Sequence, residues 1–344
     1  MQNKKELVSI VIDAHGGDNA PSEIVKGAVL AINEHKNIKV ILSGKENVLK
    51  DELKRFSYDE TRLEVLNAST VITNEEAPVK AIRSKRDSSL VIALDKLKKD
   101  DDVVGFISAG STGAVLTGAF LKIGRLKGIS RPALAPILPT TNGGNTLLID
   151  CGANMDSTSQ NLLDFALMGS FYMQAMYDIK KPRVALLNVG VEEKKGNELV
   201  KKTFPLMKEL PINFVGNMEA RDALSGNYDV IVSDGFSGNV LLKSTEGAVS
   251  SMLKTLKSEI KTSKLSMLGS LLMKKTFKKL KVKLDHSNKG GSPFLGAKKI
   301  VIKSHGSSTA ITIKTSIEQV INLHTKKMQQ NLVKKIEQIN KDKV

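Results

Sequence analysis

Five short apolar, β-branched runs in this chain stop at clusters of Gly, Ser, Asp or Asn, and a helical pattern follows each. They are VSIVIDAHGGDNAP (8–21), VVGFISAGSTG (103–113), TLLIDCGAN (146–154), VIVSDGFSGN (230–239) and IVIKSHGSS (300–308). A buried strand that delivers small polar residues to a helix N-terminus presents unpaired backbone N–H groups, and these favour anions. The repetition predicts several anion-ready corners lined up on one rim of a parallel sheet, a layout suited to phosphate or acyl-phosphate chemistry.

The corners differ in chemistry. At Asp13, Gly16, Gly17 and Asp18 the paired glycines let a turn expose its N–H groups, and Pro21 suits the first turn of a helix. Two flanking acids fit fixing the loop, or positioning a Lys, better than cradling phosphate alone. Ser108, Gly110, Ser111 and Thr112 make a better cradle, with hydroxyls and no acid. Asn188 ends a further strand and leads to Lys195 and Asn197. Lys195 can meet a phosphate or a developing oxyanion as a movable point charge, or sit in a solvated loop. Asp234, Gly235, Ser237, Gly238 and Asn239 form another corner, and Ser304, His305 and Gly306 the last. His305 among Gly and Ser is open to three readings: acid, oxyanion donor or structural histidine. Asn154 follows Cys151, which reads as a buried, inert thiol. No GKS/GKT follows a Gly-rich loop and no GxGxxG opens a helix, so nucleotide folds find no support. No Cys/His cluster has zinc spacing, and neither a metal nor a cofactor is expected.

The elements that must carry these corners alternate. Strand-like runs fall near 7–13, 38–43, 62–67, 90–94, 103–108, 134–138, 146–150, 183–189, 212–216, 229–233 and 299–304. Helical patterns fall at 22–35, 46–55, 77–86, 112–125, 158–178, 196–209, 218–224 and 238–262. This alternation predicts a mostly parallel α/β sheet covered by helices. The turn-rich PTTNGGN predicts an antiparallel hairpin between 134–138 and 146–150. No repeat, linker or boundary divides the 344 residues, which read as a single domain with a helical protrusion at about 252–283. From Lys254 to Lys283 that segment carries ten Lys against one acid, Glu259, with Leu265, Leu268, Leu271 and Leu272 grouped by helical spacing. It fits either an amphipathic segment on anionic lipid or a helix pair with a solvated face. Apolar spacing over 315–343 predicts packing, with His324 a face residue.

The formal charge is +16. It calls for an acidic partner, an anionic membrane or nucleic acid, or reflects a Lys-rich surface. Nucleic acid is disfavoured: aromatics are 4%, Trp is absent, and no recognition motif occurs. One cysteine excludes an intrachain disulfide framework and fits a reducing cytoplasm. No apolar run approaches the ~18 residues of a membrane span.

Taken in order, IDAHGGDNAP, SAGSTGAVLTGA, DCGANMD, FALMGS, NVGVEEKKGNEL, VGNMEARD, SDGFSGNVLLKSTEG and GGSPFLGAKKIVIKSHGSS closely resemble the bacterial phosphate acyltransferases of the PlsX type. The first loop departs from the family's DAMGGDHAP, with His15 and Asn19 in place of Met and His. The resemblance implies transfer of a long-chain fatty acyl group from acyl carrier protein, an acidic protein, to inorganic phosphate. The product is acyl phosphate for phospholipid synthesis, passed to a glycerol-3-phosphate acyltransferase. It also implies a three-layer α/β/α sandwich, isocitrate-dehydrogenase-like and related to phosphotransacetylases, with a protruding helical tip. A homodimer without metal or nucleotide, attached peripherally to the inner face of the cell membrane, completes the picture. On this reading Lys195, Asn239 and His305 are catalytic, and the other corner residues bind substrate. The basic rim steers the carrier, with Lys80, Arg83, Lys85, Arg86 and the Lys cluster after 254 as candidate contacts. A coenzyme A-dependent phosphate acetyl- or butyryltransferase and a non-catalytic basic membrane-binding scaffold are the alternatives.

Overall fold

The computed structural model describes residues 7–284 and 289–342, without the side chains of 280–284, 340 and 342. Among these residues the strands are β1 (Val8–Asp13), β2 (Ile38–Gly44), β3 (Leu63–Asn67), β4 (Val103–Ser108), β5 (Ala133–Leu134) and β6 (Ile137–Pro139). There follow β7 (Asn145–Ile149), β8 (Arg183–Asn188), β9 (Asn213–Glu219), β10 (Val230–Val232), β11 (Ser292–Leu295) and β12 (Ile300–Lys303). The chain forms two compact units. One comprises Met1–Pro136, Phe171–Lys180 and Ser287–Val344, the other Ile137–Ser170 and Lys181–His286. The α/β architecture with mainly parallel pairing is as expected, but it is distributed over two sheets.

The first unit holds a seven-stranded sheet in the order β3-β2-β1-β4-β12-β11-β5. Pairing is parallel from β3 to β12 and antiparallel at β11 and β5. Ile10, Val11 and Ile12 of β1 are wholly buried, as expected of a strand covered on both faces. From β1 the chain continues to β2 and β3 on one side, then returns to β4 on the other. The carboxyl ends of β1 and β4 therefore flank a point where strand order reverses, the usual place for a ligand crevice. The second unit holds a five-stranded sheet in the order β6-β7-β10-β8-β9, parallel except for β6. The predicted hairpin forms as β6–β7, with Ile137 opposite Leu147.

Four local expectations give way. Residues 90–94 lie in the helix Ser89–Lys99, not in a strand; Ser88 caps it, and Leu90, Val91, Leu94 and Leu97 form its buried face. The run 134–138 is cut at Pro136 into β5 and β6, which join different sheets. Residues 213–219 are strand, so only a short turn, Ala220–Asp222, is helical in 218–224. Strand β11 was hidden by its Pro and flanking Gly, signals that argue against a strand. The C-terminal segment packs as expected. It breaks into Ala310–Thr325 and Met328–Asp342, burying Ile317, Val320, Met328, Leu332, Ile336 and Ile339, with His324 exposed.

In the second unit, Gly235–Ile260 leads into helices Lys264–Leu272 and Lys274–Leu284. No described side chain of 261–279 is buried, and Leu265, Leu268, Leu271 and Leu272 are 79%, 59%, 66% and 85% exposed. The last part of the predicted protrusion, 280–283, has side chains outside the described set. Among the described residues no helix is long and apolar enough to cross a membrane.

In the first unit the helix Ser22–Glu34 meets Ala310–Thr325 at Gly27. A Cβ there would lie 2.6 Å from Ile313 Cβ and 2.7 Å from the Ala310 carbonyl. Gly27→Ala gains about 1 kcal/mol of helix propensity. It should nonetheless lose about 1–3 kcal/mol to overpacking. Urea denaturation should therefore show a lower midpoint; an equal or higher one would mean the crossing has room to spare.

Candidate functional site

The predicted corners stand on two sheets. In the first unit, 13–18, 108–113 and 303–308 come together at the carboxyl ends of β1, β4 and β12, where Asp13 and Lys303 are both in register with Ser108. Asp13 is buried and its Oδ2 accepts from the Ser108 hydroxyl at 2.7 Å. Ser108 Oγ in turn accepts from Gly110 N at 3.0 Å. Gly16 packs over this pair, where a Cβ would be 2.6 Å from Asp13 Oδ2 and 2.7 Å from Gly110 N. Gly17 adopts φ +106°, a conformation that L side chains rarely take, and so turns the loop. Asp13 Oδ1 is buried without a well-formed hydrogen bond, the Ser89 hydroxyl approaching but not completing one. Burial pushes the Asp13 carboxyl above its ordinary range, against the lowering pull of the Ser89 and Ser108 hydroxyls.

The loop after β1 is fastened to the loop after β12. Asp18 N donates to the Gly306 carbonyl at 2.8 Å, and Asn19 Nδ2 to the carbonyls of Ser307 and Ser308 at 3.1 and 3.2 Å. Asn19, one of the two departures from the family loop, is thus a brace. His15, the other, accepts from Lys45 N through Nε2 at 2.9 Å. Burial lowers its pKa, partly opposed by the Asp13 charge, and it serves the entry to the helix Glu46–Leu53. Ser304 is buried against Ser316 at 3.0 Å and is likewise structural.

Three groups at this rim face outward. Ser111 starts the helix Thr112–Gly118 without spending its side chain on a cap. Among the described residues the hydroxyls of Ser111 and Thr112 have no protein partner. His305 is exposed, and Ser307 N donates to its Nδ1 at 3.2 Å. Nδ1 also lies 2.8 Å from Ser307 Oγ, so the ring is held by its own loop.

In the second unit the corner after β7 is already filled. Asp150, fully buried, accepts from Cys151 N at 2.7 Å, Ala153 N at 3.3 Å and Asn154 N at 2.6 Å. Asn154 Nδ2 adds a bond at 3.0 Å, so Asn154 supports the turn. The protein's own carboxylate occupies the anion nest there. Sequence reading passed over Asp150; its signal was an Asp ending a strand and followed by small residues that can wrap it. The Cys151 thiol is buried and pushed up to about 12, chiefly by desolvation, in keeping with an inert role.

The start of Gly235–Ile260 lies against this turn. Its Gly238 has no room for a side chain, a Cβ falling 2.0 Å from the Asp150 carbonyl, and one on Gly235 would fall 2.5 Å from the Asn154 carbonyl. Asp234 caps the helix, accepting from Ser237 N and Ser237 Oγ at 2.8 Å each, so both side chains serve the cap. Asn239 is half-buried beside Gly152, and its side chain has no hydrogen bond among the described residues. After β8, Asn188 braces the following loop through the Lys195 carbonyl at 3.1 Å and Val189 N at 2.8 Å. Asn197 caps Glu198–Lys208 through Val200 N at 2.9 Å. Lys195 is exposed, with no ion pair among the described residues. Much of the expected binding set is thus scaffold, and among the described residues Ser111, Thr112, Lys195 and Asn239 keep side-chain polar groups unspent, with the His305 ring exposed beside Ser307.

Parallel sheets with such carboxyl-end corners define an α/β fold of the phosphotransacetylase type. A phosphotransacetylase from Streptococcus pyogenes shares it with a TM-score of 0.60 and 17% identity over 94% of each chain, a likeness of fold alone. The sequence itself goes further. Residues 8–331 match the family described as Fatty acid synthesis protein. The phosphate acyltransferase of Clostridium novyi (strain NT) is 48% identical over 318 residues, covering 92% of this chain and 95% of that one. That of Thermoanaerobacter pseudethanolicus is 49% identical over 313 residues, 91% and 92% of the two chains. The chain belongs to this family, the phosphate acyltransferases of the PlsX type.

Because its pKa is raised on folding, Asp13 contributes stability that is present below its unfolded value of 3.8 and lost as pH rises through the folded value. Melting temperatures of wild type and Asp13→Asn should diverge as pH increases from about 4 to about 8, the variant gaining. A difference that does not change with pH would mean that Asp13 titrates as it does in the unfolded chain.

Proposed function

We propose that this protein transfers a long-chain fatty acyl group from acyl carrier protein to inorganic phosphate, giving acyl phosphate and the free carrier thiol. The observation that carries the reading is the unspent hydroxyl pair Ser111 and Thr112 at the reversal point of the first sheet, in a chain of the phosphate acyltransferase family. Phosphate at neutral pH is partly dianionic and already nucleophilic, so a strong base is not required. The task is to hold it, orient it and stabilise the oxyanion.

In the first unit, Ser111, Thr112 and the N–H groups behind them bind phosphate, and the His305 ring donates to the developing oxyanion. Lys195, by its positive charge, and Asn239, by its amide donor, are further catalytic candidates, carried by the second unit. A phosphate oxygen attacks the thioester carbonyl, the C–O bond forms, and collapse of the tetrahedral intermediate breaks the C–S bond. The carrier sulfur leaves as thiolate and takes its proton from water. No acyl-enzyme is needed, consistent with the buried Cys151. The acyl phosphate then serves a glycerol-3-phosphate acyltransferase.

The protein acts as a homodimer at the inner face of the cell membrane. Leu265, Leu268, Leu271 and Leu272 are exposed beside Lys264, Lys274 and Lys275. Each leucine entering the acyl boundary contributes about 1.5–3 kcal/mol, and the lysines meet anionic headgroups.

Release of free thiol from palmitoyl-carrier protein should depend on added phosphate, and acetyl-coenzyme A should be a poor donor. Lys195→Ala should lower kcat/KM by roughly 10²–10³-fold, the range for removing one oxyanion-stabilising group. Turnover within a few-fold of wild type would refute the charge role. Vesicle flotation offers a second check: Leu268→Glu with Leu272→Glu should abolish binding to anionic liposomes, and undiminished binding would remove this segment as the anchor.

A further inference from the structure

The short helix Pro78–Ser84 stands beside the open corner of the first unit. Its inner side packs on Thr112–Gly118. A Cβ on Gly113 would lie 2.7 Å from Pro78 Cγ, and one on Gly118 3.0 Å from Ile82 Cδ1. Gly113 directly follows Thr112, so the basic helix begins within van der Waals reach of the phosphate corner. Ala81 and Ile82 are buried. Val79, Lys80, Arg83 and Arg86 are exposed, Val79 to 49%.

These cations are not neutralised locally. Of the acids around them, Glu76 pairs with Lys85 at 2.8 Å, while Glu75 hydrogen-bonds Thr73. Asp87 is held by Ser69 and by Thr70. Lys85 is further tied to the Val71 carbonyl at 2.9 Å. Among the described residues Lys80, Arg83 and Arg86 have no ion pair. Helix stability does not account for Lys80, because a cation in the first turn opposes the helix dipole. The face carries a single exposed apolar side chain on a seven-residue helix, too little to enter a lipid boundary.

We propose that Val79, Lys80, Arg83 and Arg86 form the docking surface for an acidic protein that carries the acyl thioester. The proposal rests on the acyl-transfer reading and adds the surface to it. Charge complementarity steers the partner, and the packing of Pro78 on Gly113 brings it to the corner where phosphate waits. Lys85, bound within its own loop, is not part of the surface.

The test combines Lys80→Glu, Arg83→Glu and Arg86→Glu and compares palmitoyl-carrier protein with palmitoyl-pantetheine, which lacks the protein. KM for the carrier substrate should rise about ten-fold or more and lose most of its salt dependence. Phosphate-dependent turnover of palmitoyl-pantetheine should stay at the wild-type level. The corresponding triple alanine variant should move the same way by less, which guards against misfolding caused by charge reversal. Equal losses on both substrates, or none, overturn the proposal. So does a change in sedimentation or in anionic-vesicle binding with carrier KM unaltered, which would assign the face to a second copy or to lipid. If wild type releases thiol from neither substrate, the acyl-transfer reading itself has failed, a result distinct from loss of carrier dependence alone.

Discussion

Backbone N–H groups at the ends of buried strands must find acceptors, and the molecule is arranged around how each corner meets that demand. At the end of β7 the acceptor is Asp150, whose carboxylate draws in three amides of the turn, those of Cys151, Ala153 and Asn154. At the start of Gly235–Ile260 it is Asp234, and at Glu198–Lys208 it is Asn197. Each corner settled this way is a piece of scaffold. The corner at Ser111 and Thr112 is not settled by any side-chain cap, and it lies where the order of the first sheet reverses.

Two acids of the same kind thus take different parts. Asp150 sits in a ring of donors, whereas Asp13 has one hydroxyl on Oδ2 and an incomplete approach to Oδ1, so burial dominates and its carboxyl is pushed up. Asp13 fixes the Ser108 hydroxyl, and that hydroxyl receives Gly110 N. The chain of contacts carries order from β1 to the β4 corner without any of these groups facing solvent. Close backbone approaches at Gly16 and Gly238 let the loops lie so near each other.

Several local signals in the sequence were faithful and a few misled. Ser88 before LVIAL is a good helix cap, but the β-branched pair Val91 and Ile92 outweighed it in a reading by composition. Pro136 marked a break that periodicity alone ran across, since the residues on either side enter different sheets. Strand β11 carried Pro and lay beside Gly, and only its antiparallel partners β12 and β5 make it a strand. The two units also escaped detection. Each is assembled from separated stretches, so no composition shift or linker marks a boundary.

The sequence alone determined the plan of alternating strands and helices and the small polar corners that end the strands. It also determined family membership, since these follow from local pattern and ordered motifs. It marked Lys195, Asn239 and His305 by residue type and place at a strand or helix end. Tertiary structure decided which corners are spent. Asp13 meets Ser108 across 95 residues, and Asn19 meets Ser307 across 288. Whether a donor is satisfied depends on such distant partners, which local spacing does not encode. The fold therefore turned Ser304, Asn188 and Asn197 into supports and left Ser111 and Thr112 with hydroxyls to offer.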